Sequence, residues 1–204
     1  MEGQGQALTS YDVSSLVIDR LCDWVRGQNA TVGCFYFDFA ARGEQSPTSM
    51  LGALLKQLVG GLGETPEEIS RVYRRQRSAI GGRGPQLADI VRMLQATTSN
   101  KPTFICIDAL DECAARYRFE ILDSLHRILQ KSPGTRIFIT GRPHIRAEVG
   151  RCLSGGVAIH VTSRRADIIS YLHSRLNEDT RPDAMDSSLQ AEILKKIPQD
   201  ISEM

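Results

Sequence analysis

Apolar residues at helical spacing open the chain, and a strand pattern follows them. From Asp12 onward, apolar positions recur at i, i+3, i+4 and i+7, which predicts an amphipathic helix that ends at residues 27–29. Residues 31–39 form a short β-rich run that is apolar on both faces, as in a buried strand. Pro47 then begins a second predicted helix. Its inward face would consist of Met50, Leu51, Leu54, Leu55 and Leu58.

Two glycine clusters, residues 60–63 and 81–84, flank a segment that is rich in arginine. Thr65-Pro66-Glu67-Glu68 has the spacing of a capping box, which predicts a helix from there through Gln76. Its arginines could indicate a nucleic-acid or acidic partner, but the acidic residues one turn earlier favour a solvated face. These arginines are Arg71, Arg74, Arg75 and Arg77. We therefore expect no nucleic-acid partner.

The rest of the chain alternates between helix and strand patterns. A helix marked by apolar residues at positions 87, 90, 91 and 94 comes first. The predicted strands that follow are residues 103–107, 136–140 and 157–161, and the predicted helices are residues 117–129, 145–152 and 167–176. A polar linker at 182–188 and the start of another helix at 189–197 end the chain. Strands that alternate with helices favour an α/β fold with a parallel sheet.

Composition fits one large domain, or one domain with a fragment of a second. The chain has 204 residues, and its 25 Lys and Arg nearly balance 24 Asp and Glu, so the net charge of +1 gives no sign of a polyanionic partner. Five cysteines form no CxxC pair and lie mostly in apolar runs, which indicates buried thiols in a reducing compartment. Neither a secretory pattern nor a long apolar stretch is present. We expect a cytoplasmic protein without a membrane partner.

The most informative segment is the apolar run at 103–107, which continues into Asp108-Ala109-Leu110-Asp111-Glu112. Carboxylates at the end of a buried strand are costly unless something compensates them, and a metal ion would do so. Ligands of parallel sheets bind at this end of the strands. Asp108 would hold Mg²⁺, directly or through water, and Glu112 would orient an attacking water, as in the Walker B half of a phosphoryl-transfer site. Alternatively, the acids cap the next helix and solvate a loop.

A second polar segment, Thr140-Gly141-Arg142-Pro143, follows the next predicted strand and should reach the same edge of the sheet. Arg142 could contact a γ-phosphate or the acids of the preceding motif as a sensor. It could equally form a structural salt bridge to Asp111 or Glu112. Sequence alone leaves both interpretations open.

These segments resemble the fungal STAND class of P-loop NTPases, and within it the NACHT-like, or nephrocystin-3-like, N-terminal domain. The resemblance rests on the strand that ends in DALDE, the ITGRPHIRAEV segment, the earlier CFYFDF strand and the helix that starts at Asp167. It extends from about Asp12 to the carboxyl end. It implies a three-layer P-loop NTPase-type fold, in which a mostly parallel sheet carries helices on both faces.

The resemblance also implies a role for each polar residue at this edge. Asp108 would serve Mg²⁺, Asp111 and Glu112 would form the catalytic acidic pair, and Arg142 would be the sensor. Thr140 and Arg142 would join Asp108 in contacting the nucleotide. Intact relatives use Mg²⁺ with ATP or GTP.

The resemblance breaks down before Asp12. A P-loop, GxxxxGK[ST], cradles phosphates with its backbone N–H groups and contacts them with its Lys. Relatives carry this loop, after a strand, just before the helix that here begins near Asp12, but residues 1–11 are small and polar and the first lysine is Lys56. We therefore expect the first strand and the Walker A loop to be missing. The chain itself would then use no cofactor and would be inactive as an NTPase.

The expected loss of this strand has a structural consequence. In this class of sheet it would lie between the strands at 136–140 and 157–161. Its absence predicts either that those strands close together or that apolar edges stay exposed, with marginal stability and a tendency to aggregate. The carboxyl end also stops where relatives continue into helical and repeat regions. The expected division is a non-family N-terminus at 1–11, an incomplete nucleotide-binding domain at 12–178, and a linker with the start of a truncated helical region at 179–204.

Two kinds of function are compatible with these features. The first is a fragment of a nucleotide-driven signalling switch that keeps the Walker B and sensor segments but lacks Walker A. The second is a non-enzymatic interaction module, or a relic, that associates with itself or with full-length relatives.

Overall fold

A computed structural model describes residues 10–62, 65–77, 84–161, 165–178 and 186–202. These residues form two units. The larger contains residues 14–157, and the smaller contains the described residues among 1–13 and 158–204. All of the predicted site residues lie in the larger unit.

The larger unit is built on a parallel sheet of three strands. They are β1 (Thr31–Tyr36), β2 (Thr103–Asp108) and β3 (Thr135–Ile139), in the order β1-β2-β3. Helices connect them, as parallel pairing requires. β2 reads as a nearly continuous apolar run because it is the central strand and both of its faces are covered. The predicted α/β class is confirmed.

The helices of the described residues follow the predicted order. They are α1 (Ser10–Val25), α2 (Pro47–Gly60), α3 (Glu67–Arg77), α4 (Leu87–Thr98), α5 (Ala115–Lys131), α6 (Arg146–Cys152), α7 (Arg165–Glu178) and α8 (Ser187–Ser202). Two short 3₁₀ turns, Leu110–Glu112 and Pro143–Ile145, begin the connections that leave β2 and β3. Within the part of the chain that the structure covers, no helix has the length and apolar character to cross a membrane.

Helices cover both faces of the sheet, which gives three layers. On one face, α2, α4 and α5 enclose a core with Ile105 and Ile107 of β2. Gly33 lets α2 approach β1 closely, because a Cβ there would lie 3.2 Å from the Leu58 side chain. Side chains alternate along a strand, so Phe104 faces the other side. There, Trp24 of α1 packs edge-on against Phe104, with 5.5 Å between the ring centroids.

Local sequence signals predicted the positions of the helices well. α2 begins at the predicted Pro47, and the Ser46 hydroxyl accepts the N–H of Ser49 at 3.2 Å as its N-cap. Four of its five predicted inward residues are buried, and Leu55 is partly buried. Two predicted connectors, 81–84 and 182–188, fall largely outside the described residues, as do residues 1–9 of the predicted polar N-terminus.

One predicted strand is wrong. Residues 157–161 adopt no strand, and Val157, Ile159 and Val161 are 90%, 82% and 64% exposed. The alternating pattern marks a segment able to form a strand, but a strand also needs a neighbour that takes up its backbone hydrogen bonds. β3 pairs with β2 alone among the described strands.

Buried thiols make the stability of the larger unit sensitive to alkaline pH. Burial raises the pKa of the Cys106 thiol from 9.0 to about 12 and that of Cys113 to about 11. The folded state therefore keeps protons that the unfolded chain releases above pH 9. We expect the free energy of unfolding to fall as pH rises from about 9 toward 11, by up to about 1.4 kcal/mol per pH unit for each thiol. Urea denaturation at a series of pH values measures this slope.

Cys106→Ala provides the matched control for the alkaline effect. The variant loses some packing at every pH, but it should also lose the share of the slope that the Cys106 thiol contributes. An unchanged slope in Cys106→Ala would show that this thiol does not stay protonated in the folded state.

Candidate functional site

The predicted site residues meet at the carboxyl ends of the strands. Asp108 is the last residue of β2, and Thr140 directly follows β3. Between Asp108 and the 3₁₀ turn stands Ala109, which has a left-handed backbone with φ 52°. This conformation costs an alanine about 1–2 kcal/mol. The hydrogen bonds around it hold it in place, as is common at functional sites.

Thr140 joins β3 to the acidic turn, which we define as residues 108–112. Its hydroxyl donates to Oδ1 of Asp108 at 2.5 Å and accepts the N–H of Ala109 at 2.9 Å. Its backbone carbonyl accepts the N–H of Leu110 at 3.0 Å. Asp108 is only 4% exposed. One threonine thus supplies the donor that a buried carboxylate requires and fixes the strained turn that follows it.

Arg142 forms the structural salt bridge that was one of its two predicted interpretations. Its Nε lies 3.3 Å from Oδ2 of Asp111, and its backbone N–H donates to Oδ1 at 3.1 Å. The Asp111 side chain is 7% exposed and that of Arg142 is 75% exposed. The Asp111 carboxylate is therefore buried, while the Arg142 side chain extends into solvent. The sensor role stays a prediction.

Glu112 contacts the loop that follows β1. Its Oε2 accepts the backbone N–H of Phe39 at 3.0 Å. The same loop is tied to β2 by the N–H of Phe37, which donates to the Asp108 carbonyl at 3.1 Å. The acidic turn thus links the ends of β1, β2 and β3.

Sequence reasoning missed Arg118, whose side chain donates to backbone carbonyls in and next to the acidic turn. Its Nε donates to Oε2 of Glu148 at 2.8 Å, and its Nη1 lies 3.3 Å from the carbonyl oxygens of both Asp111 and Cys113. Arg118 lies close to another arginine, Arg116, and its partner in α6, Glu148, is 30 positions away. No local signal distinguishes it.

Protein groups compensate each carboxylate of the motif. Asp108 has the Thr140 hydroxyl, Asp111 has Arg142, and Glu112 has the Phe39 N–H. No group of three or more His, Cys, Asp or Glu side chains in the described ranges is placed to hold a metal ion. One carboxylate fits Mg²⁺ only when phosphate oxygens and water complete its shell. Asp108 is suited to that limited role, and Mg²⁺ binding there stays a prediction.

Comparison with known proteins now gives the family. Residues 13–142 match the family model described as Nephrocystin 3, N-terminal. The chain belongs to this nephrocystin-3 N-terminal family. The match contains the whole acidic segment and ends at Arg142. No curated protein is detectably similar to the chain.

The fold of this nephrocystin-3 N-terminal domain is also found in a solved structure. The structure of the Aeropyrum pernix ORC1 protein in complex with DNA has a TM-score of 0.52 and 17% sequence identity, over 96% of this chain and 50% of the ORC1 chain. This chain therefore spans half the length of that protein. At such low identity the likeness shows the fold alone, which is an α/β fold of the P-loop NTPase type.

Proposed function

We propose that this nephrocystin-3 N-terminal domain is part of a nucleotide-dependent signalling switch of the STAND, NACHT-like class, acting in the cytoplasm. The observation that carries the proposal is the joined network at one sheet edge. Thr140 binds Asp108 and Arg142 binds Asp111, so two separate segments are joined where parallel sheets bind ligands, and Glu112 joins the same edge to the loop after β1 through the Phe39 N–H. Residues 12–178 would form the nucleotide-binding domain and 179–204 the start of a helical region.

Each residue would have its own task when nucleotide is bound. Asp108, oriented by Thr140, would hold Mg²⁺ through the ion's water shell, and Mg²⁺ would neutralise charge on the phosphates. Glu112 would exchange the Phe39 N–H for a water molecule and orient it. Arg142 is exposed enough to leave Asp111 and turn toward a phosphate. The contacts that Arg142 and Glu112 make now would then belong to the resting state of the switch.

These 204 residues contain no GxxxxGK[ST] segment. A relative that binds nucleotide with micromolar Kd gains about 8 kcal/mol. Losing the lysine contact and several backbone donors would cost on the order of 4 kcal/mol or more. The Kd would then be about millimolar or weaker. We therefore propose that these residues alone neither hold nor hydrolyse nucleotide usefully.

Calorimetric titration tests the proposed loss of binding. We expect neither Mg-ATP nor Mg-GTP to bind with a Kd below about 100 μM. Asp108→Asn is the matched control, because it removes charge from the predicted Mg²⁺ contact. Saturable binding that Asp108→Asn abolishes would overturn the proposed inactivity and support the site. Nucleotide binding that Asp108→Asn retains would count against both the proposed inactivity and the proposed Mg²⁺ contact at Asp108.

A non-enzymatic interaction module is the second candidate. It is favoured because the carboxylates of the motif are already engaged with protein groups. Such a module would co-purify with a full-length relative in the absence of nucleotide. The mass of the endogenous polypeptide separates the two candidates: a product larger than 22.6 kDa with a GxxxxGK[ST] segment supports the switch, and a product of 22.6 kDa supports the module.

A further inference from the structure

An open cavity lies where the loop after β1 meets the start of α5. Its volume is about 320 Å³, and it is lined by Arg42, Gly43, Ala114, Ala115 and Arg116. Because a water molecule takes up about 30 Å³ in the liquid, this space is large enough for about ten of them. The two arginines belong to separate segments, so it is the folding of the chain that brings them to the same cavity.

Neither arginine of this cavity has a counter-ion. Within the described ranges, the guanidinium groups of Arg42 and Arg116 form no ion pair and no hydrogen bond. Each lies over an aromatic ring instead, Arg42 at 4.3 Å from the centre of the Phe39 ring and Arg116 at 4.6 Å from that of Tyr117. Stacking orients a guanidinium but leaves its N–H donors available. Two uncompensated positive charges at one cavity favour an anion.

Backbone donors add to the two arginines. The first N–H groups of a helix have no acceptor within the helix, and the start of a helix carries partial positive charge. In α5, Ala114 provides no side-chain cap, and no acidic residue lies in the first turn. The N–H groups of Ala115 and Arg116 have no acceptor in the part of the chain that the structure describes. Both residues line the cavity, so the helix start strengthens a site that the two arginines define.

We propose that this cavity binds a phosphate group. A phosphate group has enough oxygens to accept from two guanidiniums and from backbone N–H groups at once, whereas a carboxylate has only two oxygens. Free inorganic phosphate and a phosphate monoester share this chemistry. The inference does not rest on the proposed nucleotide switch, because none of the lining residues belongs to the network of Asp108, Asp111, Thr140 and Arg142.

NMR of the backbone amides of the whole chain, titrated separately with inorganic phosphate and with methyl phosphate, tests the proposal. We expect the resonances of Gly43, Ala115 and Arg116 to shift and to saturate with a Kd of about 1 mM. Affinity is limited because both arginines are exposed and because the Glu112 carboxylate contacts the same loop at the Phe39 N–H. Saturation by inorganic phosphate alone identifies the free ion as the ligand, and saturation by methyl phosphate identifies a monoester.

Three variants locate the binding. Arg42→Gln and Arg116→Gln each remove one guanidinium from an exposed position, and each should raise the Kd at least about tenfold, as expected for the loss of a charge-assisted hydrogen bond. Arg127→Gln is the matched control, because Arg127 is an exposed arginine of the same helix about three turns from Arg116. It changes the net charge equally and should leave the Kd unchanged.

Sodium chloride and sodium acetate at matched ionic strength separate phosphate recognition from screening and from carboxylate binding. The proposal is overturned if neither phosphate compound gives saturable shifts at about ten times the expected Kd, or if chloride or acetate reproduces those shifts. It is overturned equally if neither Arg42→Gln nor Arg116→Gln weakens binding, or if Arg127→Gln weakens it as much as they do.

Discussion

Replacing Thr140 by Val is expected to lower the free energy of unfolding by about 3 kcal/mol. Valine has nearly the same shape, but it has no hydroxyl. The Asp108 carboxylate, which is 4% exposed, would lose its donor, and the N–H of Ala109 would lose its acceptor. A buried group left without its partner costs about 1–3 kcal/mol, and more when it is charged. Urea denaturation followed by circular dichroism measures the difference.

Thr140→Ser separates the hydroxyl from the rest of the side chain. Serine keeps the donor and the acceptor and loses only a methyl group, so its effect should stay within about 1 kcal/mol. If Thr140→Val proves as stable as Thr140→Ser, the hydroxyl does not sustain the network. Asp108 would then require another source of compensation, and its place in the proposed Mg²⁺ site would need to be reconsidered.

The parts of this fold that were predictable are those that short segments encode. α2 follows from the spacing of its apolar residues and from the Ser46-Pro47 start, and β2 follows from its continuous apolar run. Even the meeting of Asp108 with Thr140 was predictable, because parallel strands bring their carboxyl ends to one edge.

Pairing between distant segments was not predictable in the same way. Residues 157–161 have a strand pattern, but a strand depends on a neighbour elsewhere in the chain. The hydrogen bonds of the Gln57 side chain with the N–H and carbonyl of Cys34, at the outer edge of β1, likewise depend on the assembled sheet. Gln57 is unremarkable in the sequence, and its role depends on the approach of α2 to Gly33.

The partners of the carboxylates in the acidic turn were not predictable either, because they lie in distant segments of the chain. The sequence argument treated its carboxylates as needing a metal, because their protein partners were not visible. The structure supplies a guanidinium, a hydroxyl and a backbone N–H at distances of 2.5–3.3 Å. The carboxylates of the motif therefore have protein partners that the sequence did not reveal, and they lie at the carboxyl edge of the sheet as expected from the strand pattern, while Mg²⁺ binding there stays a prediction.

Replacing Arg118 by Met is the second change with a large expected effect, again about 3 kcal/mol of unfolding free energy. The Arg118 side chain is 12% exposed and that of Glu148 is 24% exposed, so the pair is largely shielded from water. Methionine keeps the apolar stem but leaves Glu148 without its cation and two carbonyls without their donor. Breaking a buried pair on one side costs about 3–5 kcal/mol, and the partial exposure here lowers that value.

A double variant distinguishes a lost ion pair from general damage. Arg118→Met with Glu148→Leu removes both charges, so the loss should be smaller than for Arg118→Met alone. Arg118→Lys should be intermediate, because one ammonium cannot reach three acceptors as a guanidinium does. Since two of those acceptors belong to Asp111 and Cys113, Arg118→Met should also speed hydrogen exchange in the acidic turn. If exchange there stays unchanged while stability falls, Arg118 supports α6 and not the site.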